Sequence, residues 1–258
     1  MKRLIVAFVV TAGVAALMFS AVGAAVESGP DHYLVYEAEA KEKADITLKD
    51  QFIGPVARPF KVEELEGLGV PADKTIAGYT FGALHPEIHL TIYEIELDDE
   101  EPNKAKVEKT ITNQFGTIDV RVRKLERLLV PAFKDVDDPI GAPSLSPVDH
   151  FNCYKIKVLG KFRKFQVILE DQFTTPAKVF DVTKPQMLCA PAEKTHDGVT
   201  FGITNPVDHL LCYKIELADD ENENEGEERV FVGDQFDSRR IKLDTEEPEQ
   251  FCVPSTKS

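Results

Sequence analysis

The sequence predicts an all-β fold with two domains, each a β-sandwich or barrel made of two pseudo-symmetric four-strand units. Three observations lead to this prediction. Apolar and polar residues alternate over short runs, as they do in strands. Three short sequence blocks recur four times in the same order. No ten-residue window has the apolar stripe of an amphipathic helix.

The first block has a histidine followed four residues later by a tyrosine, and the histidines are 57, 61 and 59 residues apart. The histidines are His32, His89, His150 and His209, and the tyrosines are Tyr36, Tyr93, Tyr154 and Tyr213. The second block is an Asp-Gln-Phe triplet with glutamines Gln51, Gln114, Gln172 and Gln235. The third block ends at a proline: Pro71, Pro131, Pro191 and Pro254. One supersecondary unit has therefore been copied four times.

Each unit is predicted to contain four strands. In the third unit, His150 and Tyr154 share one face of the first strand, whereas Phe151 and Cys153 share the other. The second block forms the second strand, and two further short strands follow, the last of them bracketed by prolines. Four strands bury too little apolar surface to fold alone, so we expect the units to pair.

The linkers indicate which units pair. Residues 72–86 and 192–206 match one another at a spacing of 120 residues, and they join unit one to two and unit three to four. The junction between units two and three, residues 135–146, is instead rich in Pro, Gly and Ser. We therefore predict an N-terminal domain over residues 27–134, a linker over 135–146 and a C-terminal domain over 147–258.

The four cysteines are all in the last two units. They are Cys153, Cys189, Cys212 and Cys252. An even number of cysteines in an exported chain favours disulfides. The bridges Cys153–Cys189 and Cys212–Cys252, each within one unit, are the favoured pairing, although an exchange of partners between units would keep the same symmetry.

Residues 1–25 have the pattern of a secretory signal peptide: a basic start, a long uncharged apolar run and small residues at its end. We expect this segment to be cleaved and the protein to be secreted or periplasmic, with retention as an N-terminal anchor as the alternative. No later apolar segment is long enough to span a membrane. The net charge of −15 argues against a nucleic-acid surface.

The repeated histidines are the first candidates for chemistry, but a zinc site needs three or four ligands and none stands at ligand spacing beside them. We expect each histidine to be structural, with its ring beside the tyrosine four residues later. The Asp-Gln-Phe triplet reads Asn113-Gln114-Phe115 in the second unit, and this asparagine could not serve as an acid or base. We therefore predict no catalytic residues and no cofactor.

An acidic run in the fourth unit offers weak calcium candidates, Asp219, Asp220 and Glu221. Its glycine and its final residue do not fit an EF-hand loop, so a solvated acidic loop is the favoured interpretation. No other metal ligands are predicted.

Residues 149–155, 171–173 and 184–191 carry the patterns DHxxCYK, DQF and KPxxLCxP. Together they resemble an uncharacterised family of exported bacterial proteins built from tandem copies of such units. The resemblance covers the whole predicted mature chain and is most specific in the last two units, since the first two lack the cysteines. It implies export and repetition, and it transfers no activity or ligand.

The sequence thus favours a noncatalytic exported module with a structural or binding role and an extracellular protein or glycan as partner. A carbohydrate- or peptide-binding module, with its site in the cleft between paired repeats, is the alternative. A hydrolase is third, since it would require carboxylates or histidines to converge in a pocket.

Overall fold

The computed structural model describes residues 29–99, 105–144, 146–219, 221–223 and 226–258. The predicted signal peptide, residues 1–25, and the calcium candidate Asp220 lie outside the described residues. The described residues form strands and no helix. None of them therefore forms a helix of the length and hydropathy needed to cross a membrane. The strands are β1 (Tyr33–Lys49), β2 (Arg58–Pro71), β3 (Asp73–Ile76), β4 (Tyr79–Phe81), β5 (His89–Leu97), β6 (Glu108–Asn113), β7 (Gly116–Asp135), β8 (His150–Val158), β9 (Phe165–Glu170), β10 (Lys178–His196), β11 (Val199–Phe201), β12 (His209–Leu217), β13 (Glu227–Gly233), β14 (Ser238–Asp244) and β15 (Gln250–Lys257).

Eight of these strands form a closed antiparallel ring in the order β1-β2-β5-β7-β8-β10-β12-β15, with β15 pairing again with β1. Each unit contributes two neighbouring strands. The first of the two begins at or just after the repeated histidine, and the second contains the repeated proline. The all-β prediction is confirmed, and the ring is a barrel with all four units in it.

The strand pairing does not follow the expected division into two barrels of two units each. Strand β7 of the second unit pairs with β8 of the third along Val120–Leu129, across the proposed linker. Strand β1 pairs with β15 at Tyr33↔Cys252 and Val35↔Gln250. Two strand pairs per half would leave edges with unpaired backbone groups, and closing all four units into one ring removes these edges.

The second half of the first three units differs from the prediction of separate third and fourth strands, whereas the fourth unit has the separate strands β14 and β15. In the third unit both are parts of the continuous strand β10, which has register shifts between residues 182 and 187, around Pro185. The missing N–H of proline is accommodated at such an irregularity. Beyond the ring, β1 with β2, β6 with β7, β9 with β10 and β13 with β14 continue as hairpin arms.

The arms join opposite units. The end of β1 pairs with the end of β10 at Thr47↔Thr195, and the equivalent strand β9 of the third unit pairs with β3 of the first at Ile168↔Thr75. The second and fourth units are joined in the same way at Thr112↔Thr256 and Asp135↔Phe231. The arms thus lie over the outside of the ring.

Two separate apolar clusters correspond to the two faces of the ring strands. The cluster inside the ring has two layers drawn from equivalent positions of the four units. The first layer is Tyr33, Leu90, Phe151 and Leu210, and the second is Val35, Ile92, Cys153 and Cys212. The larger cluster contains the repeated tyrosines and fills the space between the ring and the arms. Both faces of the ring strands are therefore buried at this level, which explains why the first block lacks a polar face at its start.

The disulfides are Cys153–Cys189 and Cys212–Cys252, the pairs within single units that the sequence favours. Each joins directly opposed residues of neighbouring ring strands. In the second unit the same inner places hold Ile92 opposite Leu129. The disulfides thus belong to an interior layer that apolar side chains complete in the other half of the ring.

The closed ring predicts that both halves of the chain unfold together. Differential scanning calorimetry of the oxidised protein should show one transition whose calorimetric and van't Hoff enthalpies agree, because β1 and β7 each have a partner in the other half. Two resolved transitions would contradict a single ring. Oxidised and reduced samples should differ in the midpoint and not in the number of transitions.

Candidate functional site

The Asp-Gln-Phe triplet of each unit contacts the histidine of the unit that precedes it around the ring. Gln114 Nε2 lies 2.6 Å from His32 Nε2, Gln172 Nε2 lies 2.9 Å from His89 Nε2, and Gln235 Oε1 lies 2.7 Å from His150 Nε2. Gln51 contacts His209 in the same way and so links the first unit to the fourth. We call each such arrangement of triplet, histidine and neighbouring lysine a DQF cluster.

A lysine completes each cluster. Lys74 Nζ lies 5.7 Å from the ring centroid of Phe115, Lys134 Nζ 5.4 Å from that of Phe173, Lys194 Nζ 4.3 Å from that of Phe236, and Lys257 Nζ 5.4 Å from that of Phe52. These lysines were not among the residues predicted from the repeat. They stand 60, 60 and 63 residues apart, so the repeat itself was the signal that could have identified them. Cation–π contact favours an ammonium group in such a position.

The first residue of each triplet contacts the tyrosine of the opposite unit. Tyr154 donates to Asp50 Oδ2 at 2.6 Å, and Tyr36 donates to Asp171 Oδ1 at 3.1 Å. Tyr93 donates to Asp234, and Asn113 Nδ2 donates to the Tyr213 hydroxyl at 2.9 Å. One short triplet therefore connects its own unit to two others.

The same side chains hold the turn that follows each arm strand. Asp50 Oδ1 accepts the N–H groups of Phe52 at 2.7 Å and Ile53 at 2.8 Å. Asn113 Oδ1 accepts the N–H of Phe115 at 2.9 Å. An asparagine can therefore replace the aspartate, because the turn needs an acceptor and not a charge.

Burial keeps the cluster histidines neutral. It lowers the pKa of His32 and of His150 to about 3, and the nearby Lys74 and Lys194 add to the effect. Burial and the nearby Lys134 lower the pKa of His89 to about 4. We expected each ring to lie beside the tyrosine four residues later. The rings do not lie there, because residues that far apart in a strand are about 13 Å apart. His32 instead stacks on Phe251, with ring centroids 5.7 Å apart.

The carboxylates and amines of the clusters are also shifted by burial. The pKa of Asp171 is raised to about 6, with hydrogen bonds from Thr174, Phe173 and Tyr36 acting against the desolvation. Desolvation lowers the pKa of Lys194 to about 8, and the neighbouring Asp234 opposes it. Lys194 is fully buried, so this amine does not face solvent.

The described calcium candidates do not converge. Asp219 is exposed, and a carboxylate oxygen of Glu221 accepts the backbone N–H of Val179 at 3.0 Å. Among the described residues one group of three acidic side chains could hold a metal ion, Glu64, Glu66 and Glu94. Glu66 is paired with Arg127, whose Nε lies 2.7 Å away.

A concave surface lies at the end of the ring beyond the disulfides, and we call this end the mouth. A cavity of about 500 Å³ is lined there by residues from strands around the ring, including Glu37, Arg127, Gln186, Lys214 and Gln250. An adjoining cavity of about 410 Å³ shares Arg127, Gln186 and Gln250. Met187, next to the disulfide layer, forms part of its wall.

Comparison with known proteins identifies one family. A repeat of unknown function, DUF7450, matches residues 89–253, which is more than half of the chain, and the chain belongs to this family. No curated protein and no solved structure matches it. The family supports the repeated organisation and assigns no activity.

The second triplet naturally has an asparagine, Asn113, where the others have an aspartate. This difference predicts the effect of two substitutions of Asp171 in the third unit. Asp171→Asn should change the free energy of unfolding at pH 7 by less than about 1 kcal/mol, because the amide keeps the turn bonds and removes a buried charge. Asp171→Ala should cost about 2–4 kcal/mol, since it leaves the N–H groups of Phe173 and Thr174 without their acceptor. Denaturant titration measures both. Equal losses would mean that the charge itself is required.

The buried histidines predict a loss of stability in acid. The folded-state pKa values of His32 and His150 lie below the unfolded value of about 6.5, so their stabilising contribution is present above pH 6.5 and is lost as the pH falls toward 3. Asp171, with a raised pKa, acts in the opposite direction between about pH 6 and 4, but the histidines have the larger shifts. The free energy of unfolding should therefore fall from pH 6.5 to 4.

Replacement of one buried histidine tests whether the histidines cause the loss of stability in acid. His32→Gln should reduce the pH slope by about 1.4 kcal/mol per pH unit between pH 6 and 4, because one proton fewer is taken up on unfolding. The half-buried His85, which lies outside the DQF clusters and donates its backbone N–H to Asp31, supplies the control His85→Gln. An unchanged slope in His32→Gln would contradict the proposed origin.

Proposed function

We propose that this member of the DUF7450 repeat family is an exported, noncatalytic binding module whose ligand occupies the mouth of the ring. The observation that carries the proposal is the mouth cavity, in which polar side chains from β1, β7, β10, β12 and β15 converge above a layer fixed by two disulfides. A concave surface with convergent polar groups on a rigid scaffold is the usual form of a binding site.

The compartment proposed is secreted or periplasmic. The predicted signal segment supports this proposal. So do the two disulfides, because such bonds persist in oxidising compartments.

The composition of the mouth favours a peptide over a carbohydrate. The two mouth cavities are lined by charged, amide and aliphatic side chains, and no aromatic ring is among their described lining residues. Sugar-binding sites commonly use an aromatic face, whereas peptide groups are satisfied by amides and charges. The glycan alternative therefore has less support in this cavity than the peptide alternative.

Catalysis has less support than binding. The described histidines of the repeats lie in DQF clusters between the ring and the arms, and they are buried. A nucleophile, a base and an orienting group do not converge among the described residues that line the mouth. A hydrolase would need such a constellation at the open cavity.

Chemical-shift mapping tests the location of the site. Two probes would be titrated into uniformly ¹⁵N-labelled protein: a mixture of synthetic tri- to pentapeptides and a mixture of neutral oligosaccharides. The expected result is a set of shifts at Glu37, Arg127, Gln186, Lys214 and Gln250 with the peptides. The double variant Gln186→Ala/Gln250→Ala should weaken them several-fold, and Gln166→Ala, an exposed site on an arm, should not. Shifts confined to the arms, or none with either probe, would refute a binding site in the mouth.

A further inference from the structure

The inner face of the ring carries a third layer, and this layer is charged. The residue that follows the repeated tyrosine is Glu37, Glu94, Lys155 and Lys214 in the four units. These residues have the same inward parity as Val35, Ile92, Cys153 and Cys212, which form the apolar layer beneath them. Four equivalent positions thus place two acids and two bases around the mouth.

Within this inner layer the two signs face one another across the ring, and the acids Glu216, Asp244, Glu247 and Glu249 also line the cavity beside Lys214. Strands β1 and β8 are four places apart in the ring of eight, as are β5 and β12, so Glu37 stands across the mouth from Lys155 and Glu94 from Lys214. Neighbouring strands strengthen the difference. Strand β2 adds Glu64 and Glu66 to the acidic half, and β10 adds Lys184 to the basic half.

The basic groups remain accessible although each has a partner. Lys155 pairs with Glu126 at 2.7 Å and Lys214 with Glu216 at 2.7 Å. Their side chains are 62% and 43% exposed, so these are surface ion pairs of small net stability that a ligand carboxylate can replace. Glu37 and Glu94 are exposed as well.

Amide groups from β10 and β15 flank Lys214 of β12. Gln250 Nε2 donates to Gln186 Oε1 at 2.8 Å, and both residues line the two adjoining cavities. Each amide retains a donor or an acceptor for a further partner. Acids, amides and bases around one opening offer partners for the ammonium, the peptide groups and the carboxylate of a short peptide.

We infer that the mouth binds a short peptide through both of its free termini, with the amino terminus over Glu37 and Glu94 and the carboxylate over Lys155 and Lys214. This inference rests on the proposed function and deepens it. The interior of an eight-strand ring is only a few side chains wide, which limits the ligand to a few residues. A second copy of the chain, whose mouth is also half acidic and half basic, is the competing occupant.

Calorimetric titration with tetra-alanine tests the role of the termini. The peptide with both termini free should bind the full chain, and N-acetylation or C-amidation should each raise Kd at least tenfold. Equal affinity for free and blocked peptides would overturn the inference. Sedimentation of the protein without peptide tests the competing occupant, and dimerisation that is lost when the mouth charges are reversed would also overturn it.

Charge reversal tests the orientation. The variant Glu37→Lys/Glu94→Lys makes all four charges of the inner layer basic, so it should lose tetra-alanine and bind its acetylated form at least as well. Adding Lys155→Glu/Lys214→Glu restores two opposite halves and should restore binding of the free peptide. Lys61→Glu, on an arm and 49% exposed, is the control and should leave Kd unchanged. Failure of the fourfold variant to recover binding, with its circular dichroism unchanged, would overturn the inference.

The two proposals fail in distinguishable ways. If shifts map to the mouth with another probe while tetra-alanine does not bind, the mouth is a binding site and the inference about termini is wrong. If no probe perturbs the mouth, the proposed function itself is wrong.

Discussion

The insertion of one triplet between two other units is the interaction on which the rest of this structure depends. Asp50, Gln51 and Phe52 leave the first unit and reach both the fourth unit, at His209 and Lys257, and the third, at Asn152 and Tyr154. The same connections recur for each triplet around the ring. A single unit therefore has no complete set of partners, and four are needed to close the circle.

Hydrogen-bond geometry, more than charge, accounts for these connections. Asn113 makes the turn and reaches Tyr213 without a negative charge. Asp50 and Asp171 pay a desolvation cost, and burial raises the pKa of both carboxyl groups. Neutral histidines are part of the same arrangement, because a charged imidazole beside a buried lysine would be unfavourable. The clusters thus hold the arms against the ring and leave the mouth free for a ligand.

Local features of the sequence predicted local features of the structure. The alternation around His150 correctly placed Tyr154 and Cys153 on opposite faces, and the repeat correctly favoured disulfides within units. The division into two domains followed from linkers that turned out to be hairpins: residues 73–81 form β3 and β4, and residues 194–201 form the end of β10 with β11. These hairpins extend opposite arms, and β7 and β8 pair across residues 135–146, where the boundary was predicted. The charged layer of the mouth was not predictable, since Glu37 and Lys155 come to two adjoining cavities only when the ring closes.

The most direct test of the account is a double-mutant cycle between Asp50 and Tyr154, which are 104 residues apart in sequence and hydrogen-bonded at 2.6 Å. The free energies of unfolding of Asp50→Ala, Tyr154→Phe and the double variant would be measured at pH 7. If the triplets join opposite units into one ring, the coupling energy should be about 1.5–3 kcal/mol, as for a buried hydrogen bond to a charged group. A coupling energy near zero would show that the first and third units are energetically independent, and the account of the ring would be wrong.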